Sequence, residues 1–258
     1  MTGRTHKKYM RVYGGGYDLS GYTRNIGPLV EEFDMEETAA LSDPIMTGMM
    51  GKPSLRLGTL DGLLNNTAVS GLHALHSVPG SLNVWSVVIG AGAVPVAGDP
   101  AFSGSWRSNS YYVPPEATGA IPASIEFGEY AYDAVVRAYD RAFGRLLHAN
   151  GAETAANNGT ADHDNGASSA GGGFGFLHVL SGNGTATFSI EHSATNTDAQ
   201  FDATGAIITF ATTAAATPFG EVKAAASITT TVQRYLRWQV TLGTATTVTF
   251  VMGFVRGR

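Results

Sequence analysis

The chain has 258 residues, 16 Lys and Arg against 21 Asp and Glu, a formal net charge of −5 and no cysteine. That length is enough to bury a core without a covalent staple, and the missing thiols exclude a disulfide framework, a thiolate metal site and a cysteine nucleophile. An acidic balance argues against nucleic-acid binding, which neutralises phosphates; Arg4, Lys7, Lys8 and Arg11 read as a short solvated basic arm.

Charged residues make up 14% of the chain, against about 25% in ordinary soluble domains. Gly contributes 33 residues, close to twice its usual share of about 7%. Such a chain is poor in helix formers and rich in turn residues and β-branched Thr and Val. Two readings stay open: an ordinary β domain, or a subunit whose surface lies largely in contacts, since few charges protect it from self-association. No apolar run approaches the roughly 18–20 residues of a membrane-spanning helix. Residues 1–10 are polar and basic with no apolar stretch behind them, so no secretory signal is expected.

In chain order, residues 9–13 and 17–19 flank Gly14, Gly15 and Gly16 as a hairpin would. Residues 29–36 alternate as a strand, with Leu29, Glu31, Phe33 and Met35 on one face and Val30, Glu32, Asp34 and Glu36 on the other. A glycine-punctuated strand follows at 54–64, then strands at 82–89, 101–106 and 121–127. Two short helices are expected, within 36–50, where Pro44 interrupts, and over 130–147, whose second half from Ala142 to Leu147 also fits a strand. Residues 150–173 hold almost no large apolar side chain and read as a linker or long loop. Strands return at 174–180, 185–192, 206–211, 234–242 and 246–255, spaced like an antiparallel sandwich. The reading is mainly β: an assembly domain over 1–150, a linker over 151–173 and a C-terminal β-sandwich over 174–258.

Signs of catalysis are few. His73 and His76 stand three apart, but no zincin glutamate and no third ligand accompany them. Asp162, His163, Asp164 and Asn165 are oxygen-rich yet lack the calcium-loop ladder and its closing glutamate, which favours a solvated loop. Gly90 and Gly92 follow a strand, but Pro95 blocks the helix that a dinucleotide turn needs. The Gly171–Gly175 stretch has no Lys-Ser/Thr ending of a phosphate loop. Carboxylates across 31–37 lie in one dense acidic run, usually a solvated face. Trp85, Trp106 and Trp238 could stack on sugars, but Trp85 and Trp238 sit inside apolar strand patterns and read as core. No catalytic residue, metal or cofactor is expected.

Several segments are familiar. Residues 12–22 (VYGGGYDLSGY) resemble the opening hairpin of tail-tube proteins of long-tailed bacteriophages, where an acidic strand follows, and here 29–38 stands in its place. Residues 51–63 (GKPSLRLGTLDGL) are similar to the next strand of that family. Residues 144–154 (GRLLHANGAET), 175–179 (GFLHV) and 190–193 (IEHS) look like segments of phage virion proteins. The resemblance implies a tail-tube-like β-sandwich or barrel that self-assembles into homo-oligomeric rings, usually sixfold, stacked into a conduit for the genome. Its partners are then copies of itself and other virion proteins, DNA passes without specific binding, and the protein resides in the virion after assembly in the host cytoplasm. Glu32, Asp34 and Glu36 become candidates for an acidic lumen face, and the C-terminal module an outward decoration. Two departures, the long 150–173 stretch and the unmatched 64–80 segment, leave room for a capsid cement or head-decoration protein, or a sugar-binding virion module.

Overall fold

The computed structural model describes residues 7–37, 48–64, 73, 75, 80–114, 119–128, 139, 141–159, 163–211, 213–214 and 218–257. The first half supplies β1 (Met10–Gly14), β2 (Tyr17–Asp18), β3 (Thr23–Ile26), β4 (Leu29–Glu37), β5 (Gly48–Leu57), β6 (Leu60–Leu63), β7 (Leu82–Ile89), β8 (Pro100–Tyr112) and β9 (Pro122–Phe127). Next come β10 (Phe143–Glu153), β11 (Asn157–Asn158), β12 (His163–Asp164), β13 (Gly173–Gly182) and β14 (Thr185–Ser193). Helix α1 (Asp198–Thr204) precedes β15 (Ala206–Thr209), β16 (Thr213–Ala214), β17 (Phe219–Ala224), β18 (Tyr235–Leu242) and β19 (Val248–Arg256).

Every ladder is antiparallel. The large sheet runs β17-β13-β19-β10-β8-β7-β1-β2, with β9, β6 and β3 branching from the far end of β8. A second sheet, β11-β18-β14-β15 with β12 and β16 attached, packs beside it, and β4 and β5 form a separate two-stranded ribbon. The large sheet rolls without closing into a barrel. Its ends meet through side chains instead: His178 on β13 reaches the Gly16 amide at the β1–β2 turn and the Ser86 hydroxyl on β7.

Two cores result, and β13, β19 and β10 form the wall between them. Phe174 and Phe176 of β13 and Val251 and Val255 of β19 face the first, with Trp85, Phe102 and Trp106. Leu177, Val179, Phe250, Met252 and Phe254 face the second, against Phe188, Ile190, Leu236 and Val240 of the smaller sheet. A strand buried on both faces needs apolar residues without alternation; this explains the near-continuous runs at 174–180 and 248–255. Close packing of the wall also demands small residues. A Cβ on Gly175 would meet Ile190 at 2.6 Å, and one on Gly253 would meet Phe176 at 2.3 Å.

Several expectations are corrected. Residues 143–147 belong to β10, which settles the helix-or-strand alternative over that part in favour of the strand. In the 36–50 segment, Glu36, Glu37 and 48–50 are extended, while 38–47 lie outside the described residues. The strand read at 54–64 is two, broken where the Gly27 amide meets the Thr59 carbonyl and the Gly58 amide meets the Pro28 carbonyl. The 150–173 stretch is not a bare tether: its first residues continue β10, β11 and β12 pair with β18, and Ser169 bridges Val232. The large sheet therefore draws strands from both sides of that stretch and does not divide there.

Candidate assembly surfaces and buried polar clusters

The acidic run lies on β4. Register pairs Val30 with Arg56 and Glu32 with Ser54, so the Arg56 guanidinium sits one diagonal from Glu32 and bonds its carboxylate at 3.1 Å. The run itself holds no Lys or Arg; the partner strand supplies one. The pair is exposed on both sides and contributes little to stability. Glu31 turns the other way, against Arg141 at 2.8 Å, and accepts the Ala142 and Phe143 amides. It thereby ties the ribbon to the start of β10. The ladder is irregular between Phe33 and Met35, and the side chains of Asp34 and Glu36 lie outside the described residues.

The candidate metal residues are not gathered into a site. His73 is exposed with its ring 5.9 Å from that of Tyr111, and His76 and Asp162 lie outside the described residues. Asp164 is held by both Nε and Nη2 of Arg234 at 2.7 Å, and this pairing pulls its carboxyl down to about 2. No group of three or more metal-ligating side chains occurs among the described residues. Trp85, Trp106 and Trp238 are all buried, so none presents a face for sugar stacking. Gly90 and Gly92 open a β7–β8 hairpin loop rather than a helix.

Three polar clusters inside the protein were not legible from the sequence. The first joins His178, Ser86 and Ser103. Gly16 N–H donates to His178 Nδ1, so Nε2 carries the proton and donates to Ser86 Oγ at 2.9 Å. Ser86 and Ser103 hydroxyls lie 2.6 Å apart, and Ser103 donates to the Trp85 carbonyl. This polarity is the reverse of nucleophile activation, in which the imidazole must accept the serine proton. Burial pushes the His178 imidazole down to about 3, so the ring stays neutral.

The second cluster surrounds Arg237, whose side chain has no exposed surface. Its Nε meets Glu191 at 2.6 Å, and its two terminal nitrogens meet Asp198 at 2.6 Å and Asp202 at 2.9 Å. The guanidinium also lies 4.4 Å from the centre of the Phe201 ring. Three of these partners come from α1, so the cluster clamps that helix onto β14 and β18. In the third, both ring nitrogens of His148 face acceptors, the Phe250 carbonyl at 3.1 Å and Glu153 at 3.2 Å. Stacking on Phe250 buries the ring and lowers its pKa, against the pull of Glu153.

The described surface also carries a cleft and an exposed apolar loop, along with exposed Tyr112 and Ile228. A cleft of about 410 Å³ lies between the start of β7 and β17, lined by Leu82, Asn83, Val84, Phe219, Glu221 and Val222 among others. The β7–β8 loop, by contrast, presents Val94 and Val96 at 61% and 59% exposure.

No family model matches the chain, and no curated protein matches it. Among solved structures it is similar to the Dit protein of phage SPP1, described as a paradigm of the hub adsorption apparatus in phages that infect Gram-positive bacteria. The identity is 10% over 95% of this chain and 98% of that one, with a TM-score of 0.29. Likeness at that level carries no argument about fold or function.

Proposed function

We propose that the protein is a non-enzymatic structural subunit of a tailed-phage particle, of the tail-tube type, that assembles with copies of itself into stacked rings. The resemblance of 12–22 and 51–63 to tail-tube segments motivates the reading. The observation that carries it is the β4–β5 ribbon, the region of that resemblance, in which neither strand pairs with a third among the described residues. Unpaired strand edges are what a solitary protein must protect and what an assembling one uses. The low charge content acts in the same direction. The buried polar groups support it too, because His178, Ser86 and Arg237 are committed to holding elements together.

Negative-stain microscopy of the purified protein separates this reading from its alternatives. Rings or tubes are expected. Monomers or trimers that coat capsid shells would instead establish a head-decoration protein, and free protein retained on a glycan array a sugar-binding module.

A further inference from the structure

The exposed loop and the cleft lie at opposite ends of β7. The loop is uncharged from Gly90 to Ala97 and firmly held. Val96 N–H donates to the Asp99 carboxylate at 2.9 Å, and Asp99 N–H donates back to the Val96 carbonyl at 3.1 Å. Gly98 N–H donates to the Leu146 carbonyl, and Arg145 caps the Gly98 carbonyl at 3.2 Å. Pro95 is buried beneath, which leaves Val94 and Val96 projecting as a fixed apolar knob. Singly exposed valines are unremarkable; two on a pinned loop are already organised for binding, with little ordering entropy left to lose.

We propose that Val94 and Val96 of one copy of this chain insert into the β7–β17 cleft of the next, in a head-to-tail contact. The inference rests on the self-assembling reading above and names the surfaces it would use. The cleft has the volume: an apolar cavity of about 150 Å³ accepts benzene, and 410 Å³ accommodates two isopropyl groups. Leu82, 42% exposed, and Val222 supply the apolar part of a mixed lining that also holds Asn83, Ser105 and Glu221. Charge is complementary at the margins, with exposed Arg145 at the foot of the knob and Glu221 on the cleft wall. From Val84 to Gly90 the chain rises about 20 Å along β7, so a knob does not reach its own cleft. A second copy is the occupant that carries both halves, and a contact between two different patches propagates into rings or filaments. Two valines do not make a stable interface by themselves, which takes about 1,000 Å² or more. The knob acts as a key that sets register within a larger contact.

The test uses the full chain, a knob variant (Val94→Asp with Val96→Asp) and a cleft variant (Leu82→Asp), all compared by size-exclusion chromatography with light scattering. These positions are exposed, so circular dichroism and melting temperature should match the wild type. Each variant alone should run as the unit that lacks this contact, with the larger species reduced at least tenfold. Mixed one to one, the variants share one intact knob and one intact cleft per pair. The mixture should double that mass and grow no further. If Leu82→Asp fails to fold, the charge pair serves: Arg145→Glu should weaken assembly, and adding Glu221→Arg should restore it. Variants that assemble like a wild type forming large species would overturn the knob-and-cleft contact and leave the structural-subunit reading standing. A wild type that stays monomeric at every concentration would overturn both.

Discussion

A guanidinium with no exposed surface is tolerable only when its charge and its donors are all answered, and Arg237 meets both conditions through Glu191, Asp198 and Asp202. Removing one partner of a buried pair typically costs about 3–5 kcal/mol, because the other charge stays behind unpaired. Arg237→Ala leaves Glu191 in that position, 6% exposed, and urea denaturation should show a loss of that size; a loss under about 1 kcal/mol would mean the cluster is a surface ornament. His178 gives a pH dependence of definite sign. Its pKa falls from 6.5 unfolded to about 3 folded, so below pH 6.5 the unfolded chain takes up a proton that the native state refuses. Its contribution is intact above 6.5 and lost as pH falls toward 3, by about 1.4 kcal/mol per unit. His148, His163 and His192 are lowered too and add the same sign. His178→Gln should flatten the decline in stability between pH 6 and 4. Neither residue was legible in the sequence: a charge inside YLRWQVTL and a histidine inside FGFLHVL look like the solvent-facing members of a strand until the second layer is placed.

Among the elements, the alternating strands were readable because polar and apolar residues take opposite faces, as in β14, whose Ala186, Phe188 and Ile190 enter the second core. β10 was ambiguous because its ladder with β19 shifts register on both sides of His148, which breaks the period of two. β17 was missed: FGEVKA is short and only half-buried, and the β1–β2 turn presses on its start. That contact requires glycine, since Gly16 has φ +89° and a Cβ there would lie 2.1 Å from the Phe219 amide nitrogen. Gly16→Ala should therefore destabilise by about 2–4 kcal/mol, combining left-handed strain with overpacking. An unchanged denaturation midpoint would show that the two ends of the sheet are not held there. In the β4–β5 ribbon, Glu32→Gln, Asp34→Asn and Glu36→Gln together should leave assembly intact, because the exposed Glu32–Arg56 pair contributes little. If the ribbon lines a bore, the triple variant in an infectious particle should slow genome delivery, since carboxylates keep phosphates from adhering; delivery at the wild-type rate would remove the lumen role while leaving the tube.

For the whole molecule, the mainly-β class was legible from composition, and the shared wall was not. Periodicity reports how many faces of a strand are buried, not which strands lie against them, so two β-rich halves around a glycine-rich stretch looked like two modules. In the structure β10 is flanked by β8 on one side and β19 on the other. A chain ending at Asn150 would lose β13, β17 and β19 and expose the apolar wall, so it should be recovered as aggregate; a soluble truncation with a cooperative melt would show that the first core closes without the C-terminal strands. Sedimentation velocity over a wide concentration range decides whether this protein joins copies of itself, as proposed. A self-assembling subunit gives a series of growing species, ending in a ring or tube and lost in the knob and cleft variants. A single monomeric boundary at all concentrations would rule self-assembly out.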